Sequence, residues 1–462
     1  MINFYEMAIK PYKMRMVARK KTDVVTDIRK TGKGIGRNVR GNTPPALADS
    51  RLVPMTWTES RQMTPMMPKL DEEWSILATA LTQEATRLDS ALPPRTRHAL
   101  TPLLRQVNSY YSNLIEGHRT LPGDVATAMR RASATGPKKE QHLVIEALAH
   151  IQVQSEIERE MAGHGFRPTD PANIRRIHRL FIEQLPEEMQ WTEPRSNGTR
   201  ERIIPGLFRR EPVLVGAHIP PAAEHLEAFL EAFNGAYKSH AAPTPETVGR
   251  IAAAHQRFMW IHPFLDGNGR VGRLMTDAMF ANAGLAADGL WRISRGFARR
   301  NTDYKSRLAE ADEDRHGDLD GRGNLSQRGM DNWCKFVVEV ALDQVKFMRQ
   351  LLSVEKLPMR IQEWAARSFP SKASTRIGLL MERIIRYGEV DRKTVYELLG
   401  VTERHARRLI DRLIKEELVE VTMSGALTPR IHLSVVPSWF PDLFPANERD
   451  EMEATRITVT DD

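Results

Sequence analysis

Between Leu70 and about residue 355, apolar side chains return every three or four positions, as in WSILATALTQEATRL, HALTPLLRQVNSYYSNLI, HLVIEALAHIQVQSEIEREM and PAAEHLEAFLEAFNGAY. This period gives each segment one apolar stripe along a helix, and such stripes are best buried against one another. The expected fold class is all-α, a helical bundle over residues 66–355, with further helices over 246–261, 268–283, 301–313 and 327–355. One stretch breaks the pattern. In GTRERIIPGLFRREPVLVGAHIPP, the β-prone run Val213, Leu214, Val215 lies between Pro and Gly, so a short β-hairpin is expected. The Pro and Ser cluster SFPSKAST marks a junction. Because 462 residues exceed what one core usually organises, a second, smaller domain is expected over 371–440.

The net charge of +8 points toward nucleic acid until it is located. Residues 1–60 hold 12 Lys/Arg against 5 Asp/Glu, so the excess belongs mainly to a segment around KTGKGIGRNVRGNTPP. Its weak hydrophobic periodicity reads as a basic, disordered tail over 1–65, and residues 441–462 read as an acidic tail. No run approaches the roughly 18 apolar residues of a membrane span. The N-terminal MINFYEMAIKPYKMRMVARKK lacks the continuous apolar core of a secretory signal. The single cysteine, Cys334, cannot form an intramolecular disulfide or a cysteine metal cluster. A soluble, cytoplasmic protein is expected, with no membrane partner.

The chemistry concentrates in His262-Pro-Phe-Leu-Asp266-Gly267-Asn268-Gly269-Arg270-Val-Gly-Arg273, which follows one helical run and opens another. Gly267 and Gly269 let the backbone turn tightly and approach a ligand, and the helix starting there offers free N–H groups and a positive dipole end. That makes an anion cradle. Arg270 and Arg273, three apart, emerge on one side of the helix and suit a polyphosphate. Asp266 is out of place among anions unless a divalent cation intervenes, and Mg²⁺ commonly bridges one carboxylate to phosphate oxygens. His262, with an ordinary pKa of about 6.5, can take a proton from an attacking hydroxyl. Phe264 reads as an apolar plug that fixes the loop.

These residues match the signature H-x-F-x-[DE]-G-N-G-R-x-x-R at every fixed position, and the chain over roughly residues 100–340 resembles the Fic family. The resemblance implies a protein adenylyltransferase that moves AMP from Mg-ATP to a Ser, Thr or Tyr hydroxyl. By the same resemblance His262 is the base, Asp266 holds Mg²⁺, Gly267, Asn268 and Gly269 bind phosphate, and Arg270 and Arg273 neutralise it. The hairpin, with Val213, Leu214, Val215 and Gly216, looks like the family's target-docking flap. The segment ISRGFARRNTDYKSRL resembles the part that closes over adenosine, with Asn301 and Tyr304 as candidates. The implied partners are ATP and an unidentified target protein, with a second copy of the chain (self-AMPylation, a homodimer) as a further candidate.

Ser112-Asn-Leu-Ile-Glu116-Gly117, on a helical run starting near His98, matches the Fic inhibitory motif [ST]-x-x-x-E-[GN]. The implied brake is a pairing of Glu116 with Arg273, which takes the fork meant for the γ-phosphate of ATP. In some relatives the same glutamate serves AMP removal, so the reverse activity stays open, as does another phosphate donor. Residues 371–435 read as helix, helix, turn, helix and hairpin, and resemble a winged helix, with Gly400 and the N-cap Thr402 at the turn. Arg404, His405, Arg407 and Arg408 lie on the recognition helix, but the segment carries 12 basic and 9 acidic residues. DNA binding and protein docking are therefore left as rivals, and a DNA-binding regulator with a nucleotide-sensing Fic domain is the remaining alternative.

Overall fold

The computed structural model describes residues 57–120, 125, 138–163, 165–194, 198–238, 242–353, 355–431 and 435–443. The described helices up to the junction are α1 (Glu72–Asp89), α2 (Pro94–Ile115), α3 (Lys138–Ala162), α4 (Pro171–Ile182), α5 (Leu226–Tyr237), α6 (Pro245–Ile261), α7 (Asn268–Asn282), α8 (Ile293–Arg299), α9 (Asn301–Asp312), α10 (Gln327–Leu351) and α11 (Leu357–Ser368). Their starts follow from the sequence. Asp71, Asp170, Thr244 and Ser326 each accept a hydrogen bond from the first turn of the helix they open, and Pro stands at the start of α4 and α6.

The hairpin α6–α7 runs through the middle of the bundle. Phe258, Trp260, Ile261, Phe264 and Met275 are all fully buried, and α6 packs on α1, α5, α7, α9 and α10. Expected helices 246–261, 268–283 and 301–313 coincide with α6, α7 and α9 to within a residue at each end. The run expected over 327–355 instead stops at Leu351 and restarts as α11, because Pro358 at the start of α11 cannot continue a helix from behind. The expected hairpin is reduced to one bridge, Val215 with His218, closed by two backbone bonds of 3.0 Å. Gly216 at φ 62° makes the turn.

Beyond the junction stand α12 (Ser371–Tyr387), β1 (Val390–Asp391), α13 (Val395–Leu399), α14 (Glu403–Lys415), β2 (Val419–Val421), β3 (Ala426–Pro429) and α15 (Val436–Trp439). The strands form an antiparallel sheet in the order β1-β3-β2, with Val390 opposite Leu427 and Val419 opposite Pro429. Gly400 takes φ 58° at the end of α13 and the Thr402 side chain accepts from His405 N–H, which builds the tight turn into α14.

One boundary differs from the sequence reading. Residues 57–65, assigned to the basic tail, are packed on the body: Trp57 meets Trp260 edge-on, Met63 is fully buried, and Pro65 O accepts from the buried Arg257 at 2.9 Å. Periodicity does not register this stretch because two separate apolar anchors and a backbone carbonyl, rather than a repeating apolar stripe, hold it on the core. The remainder of that tail, residues 1–56, and residues 444–462 lie outside the described residues. The junction at 369–371 separates helices but not packed bodies. Phe369 is buried against Trp364, and Thr96 Oγ1 donates to Ile385 O at 2.8 Å across the boundary. Among the described residues no helix is long and apolar enough to cross a membrane.

Candidate active site

α6 ends at Ile261, and His262 takes the left-handed conformation, φ 48° and ψ 61°, which turns the chain into the loop. A non-glycine residue there is strained and needs outside support. Arg209, almost wholly buried, supplies it: Nε donates to His262 O at 2.8 Å, Nη2 to Pro221 O at 2.5 Å, and its backbone N–H to Pro263 O at 2.9 Å. The His262 Nδ1 faces Met259 O at 3.2 Å. A carbonyl only accepts, so Nδ1 carries the proton and Nε2 keeps a lone pair. Burial pushes the imidazole down to about 4, so it is neutral at physiological pH.

The loop is closed from within. Phe264 is fully buried, stacked on His178 at 3.9 Å, and the Asn268 side chain both accepts from Phe264 N–H (3.0 Å) and donates to Phe264 O (2.8 Å). Asn268 was expected to bind phosphate; its side chain is spent on the loop, which leaves its backbone N–H for the cradle. Asp266 Oδ1 accepts from Gly267 N–H at 2.6 Å and its side chain is half-exposed. Gly267 stands at φ 80°, with the His178 ring 3.5 Å from where a Cβ would sit.

The cradle holds an anion of the chain's own. A Cβ at Gly269 would stand 2.2 Å from Glu116 Oε1, so the carboxylate fills the space the glycine leaves. Arg273 is buried and donates from Nη2 to Glu116 Oε1 at 2.6 Å, from Nε to Ser112 Oγ at 2.9 Å, and from Nη2 to Ser112 O at 3.1 Å. Burial would push the Glu116 carboxyl up; the charges of Arg273 and Arg270 outweigh it and hold the group below its ordinary value. Arg270 is also buried. Its Nη1 donates to Glu146 Oε1 at 3.0 Å, its guanidinium lies 4.6 Å over the Phe181 ring, and Nη2 is 3.9 Å from Asp266.

Tyr304, expected beside adenosine, is instead inside the core. Its hydroxyl lies 3.0 Å from His255 Nε2 and in the field of Arg273 and Glu116, and burial raises it to about 12. It backs Arg273 rather than facing solvent. Asn301, at the start of α9, has a buried Oδ1 that accepts no hydrogen bond among the described residues. Val213, Val215 and Gly216 lie at the protein surface, and Leu214 is 70% exposed.

Three contributors escaped the sequence reading. Glu146, with His150 and Gln154, puts polar groups at intervals of four on the buried face of α3, a signal that was legible. Arg209 and His178 carry no pattern, since tertiary contacts alone give them their role.

The Fic/DOC family matches residues 168–280, from the approach to α4 almost to the end of α7. The chain therefore contains a Fic domain. It is 35% identical over 210 residues to the protein adenylyltransferase Fic of Nematostella vectensis, a match that spans 46% of this chain and 43% of that protein. The protein of the same name from Drosophila melanogaster is 40% identical over 87 residues, 19% of this chain and 18% of that one. The chain thus spans less than half the length of these curated relatives. A Fic family protein from Desulfovibrio desulfuricans aligns over 78% of this chain and 97% of its own, with 17% identity and a TM-score of 0.45. The Fic domain match takes in Arg209, the Val213–Gly216 segment and the glycine-containing loop, while Ser112, Glu116 and Glu146 lie upstream of it.

Proposed function

We propose that this chain is a protein adenylyltransferase, held in check by Glu116, that transfers AMP from Mg-ATP to a Ser, Thr or Tyr hydroxyl of a protein. The observation that carries the reading is the carboxylate lodged over Gly269 on Arg273, 2.6 Å away, in a site built from helix N–H groups and two arginines. A group that accepts an anion so closely suits phosphate once Glu116 withdraws. The backbone at Gly267, Asn268 and Gly269 cradles the polyphosphate, and Arg270 and Arg273 offset its charge. The target hydroxyl oxygen attacks the α-phosphorus, His262 Nε2 takes the hydroxyl proton, and the bond to pyrophosphate breaks. Positioning and electrostatics do most of this work.

Among the described residues no group of three or more His, Cys, Asp or Glu could hold a metal ion. Asp266 would hold the Mg²⁺ that accompanies ATP, and the charge of that ion would ease the departure of pyrophosphate. The exposed edge around Val213–Gly216 supports a flap that pairs with an extended target segment and sets its hydroxyl in register. The test is label transfer from α-labelled ATP to protein, including self-labelling, with Mg²⁺ present. Strong transfer by Glu116→Gly, weak transfer by wild type and none by His262→Ala is the expected result. A silent Glu116→Gly that still binds ATP points to another donor.

The order of elements in the C-terminal segment and its β1-β3-β2 sheet support the winged-helix reading. Arg404 and Arg408 are exposed on α14 and make no ion pair among the described residues, which favours contact with DNA phosphates. Binding of duplex DNA by the full chain should then weaken with salt, with a log–log slope of about −1.8 for two phosphates. A salt-independent interaction, or none, removes DNA from the reading.

A further inference from the structure

The turn that ends α2 carries more than Glu116. Gly117 stands at φ 85°, its N–H donates to Leu114 O at 3.0 Å, and the His118 N–H donates to Asn113 O at 2.9 Å. These two bonds make a Schellman motif, which fixes the spacing of the residues on either side of the glycine. On one side Glu116 reaches Arg273. On the other, His118 Nδ1 lies 2.6 Å from Glu146 Oε2. An ionised carboxylate only accepts, so His118 is the donor.

Glu146 Oε1 accepts from Arg270 Nη1 at 3.0 Å, and both residues are at most 6% exposed. Arg270 and Arg273 are three apart on α7, so the α2 turn is tied to that helix twice, directly through Glu116 and indirectly through His118 and α3. Thr120 Oγ1, donating to Leu143 O at 3.2 Å, extends the attachment. The charges agree with this geometry. The hydrogen bond to Glu146 raises His118 above its ordinary value. Burial opposes ionisation of Glu146, but the His118 bond and the Arg270 charge outweigh it.

We propose that His118 and Glu146 form a second clasp, which holds the α2 turn, and with it Glu116, on the phosphate cradle. When the turn moves off the cradle it carries Glu116 away from Gly269 and draws His118 off Glu146. The two contacts open together. The clasp thus adds to the stability of the closed state without touching the reacting groups. This inference rests on the reading of Glu116 as the brake of an AMP-transferase.

The experiment uses the full chain in four forms: wild type, His118→Ala, Glu116→Gly and the double variant, each checked by thermal denaturation. His118→Ala should raise label transfer roughly fivefold over wild type, the size of one charge-assisted hydrogen bond discounted for its exposure. In the Glu116→Gly background the same change should do nothing. His118→Gln, which keeps a donor, should fall back toward wild type. Hydrogen exchange at the 112–118 amides reads the clasp without nucleotide and should speed up in His118→Ala. If exchange speeds up but Glu116→Gly transfers nothing, the transferase reading fails and the clasp stands. If exchange is unchanged, or if His118→Ala alters transfer alike in both backgrounds or in neither, the clasp is refuted.

Discussion

At Gly269 a carboxylate occupies the volume that any other residue would fill with its own Cβ, so one glycine serves both the resting state and the phosphate expected in its place. Gly269→Ala should push Glu116 out, 2.2 Å from the added carbon, and press on Arg273 Nη1 at 3.0 Å. The variant should lose about 1–2 kcal/mol in a denaturant melt, since a buried arginine is parted from a half-exposed partner. It should also transfer no label, because the methyl fills the cradle. Normal transfer by this variant is incompatible with a phosphate site over Gly269. His262 makes a different prediction. With its imidazole held down to about 4, it is already neutral at pH 6, so transfer by Glu116→Gly should show no inflection near pH 6.5 assignable to the base. A rate that halves around pH 6.5 and follows the His262 titration by NMR contradicts the lowered pKa of His262.

At the scale of elements, the hinge between α6 and α7 is kept in place by a neighbour that is neither helix nor strand. Arg209 joins the segment 211–221 to the left-handed turn through bonds to Glu211 O, Pro221 O and His262 O. Burial lowers its pKa to about 10, which leaves it charged at neutral pH. Arg209→Ala frees the backbone that aims His262, and a displacement of roughly 1 Å at a reacting group can cost on the order of 100-fold in rate. In the Glu116→Gly background, Arg209→Ala should therefore lower kcat 10- to 100-fold, by order of magnitude, with little change in ATP affinity by calorimetry. An equal loss in affinity instead assigns Arg209 to the phosphate cradle.

Over the whole molecule, buried histidines set how stability responds to acid. His178 and His255 are pushed down to about 3, His218 and His262 to about 4, and His150 well below its ordinary value, each first by burial. In the unfolded chain these groups bind protons below about pH 6.5, whereas the folded ones do not. Their stabilisation is thus complete above that pH and is lost as pH falls. Asp277, raised to about 6, and Asp312, raised to about 7, act in the opposite sense, because their folded forms hold protons that the unfolded ones release. The histidines outnumber them. Stability should fall between pH 6.5 and 4.5 by on the order of 3 kcal/mol per pH unit, read as a falling Tm; a flat Tm contradicts the buried neutral histidines. The sequence alone determined the helical class, the α6–α7 hairpin and the glycine-containing loop between its helices, because periodicity, capping residues and the HPFLDGNGRVGR run act over a few turns of chain. It also named Glu116 and Arg273 as partners. Only the tertiary structure decided that Tyr304 faces inward, that residues 57–65 belong to the body, and that Arg209, Glu146 and His118 serve the site. Those roles depend on which buried donors and charges meet across distant segments, and no local pattern encodes that.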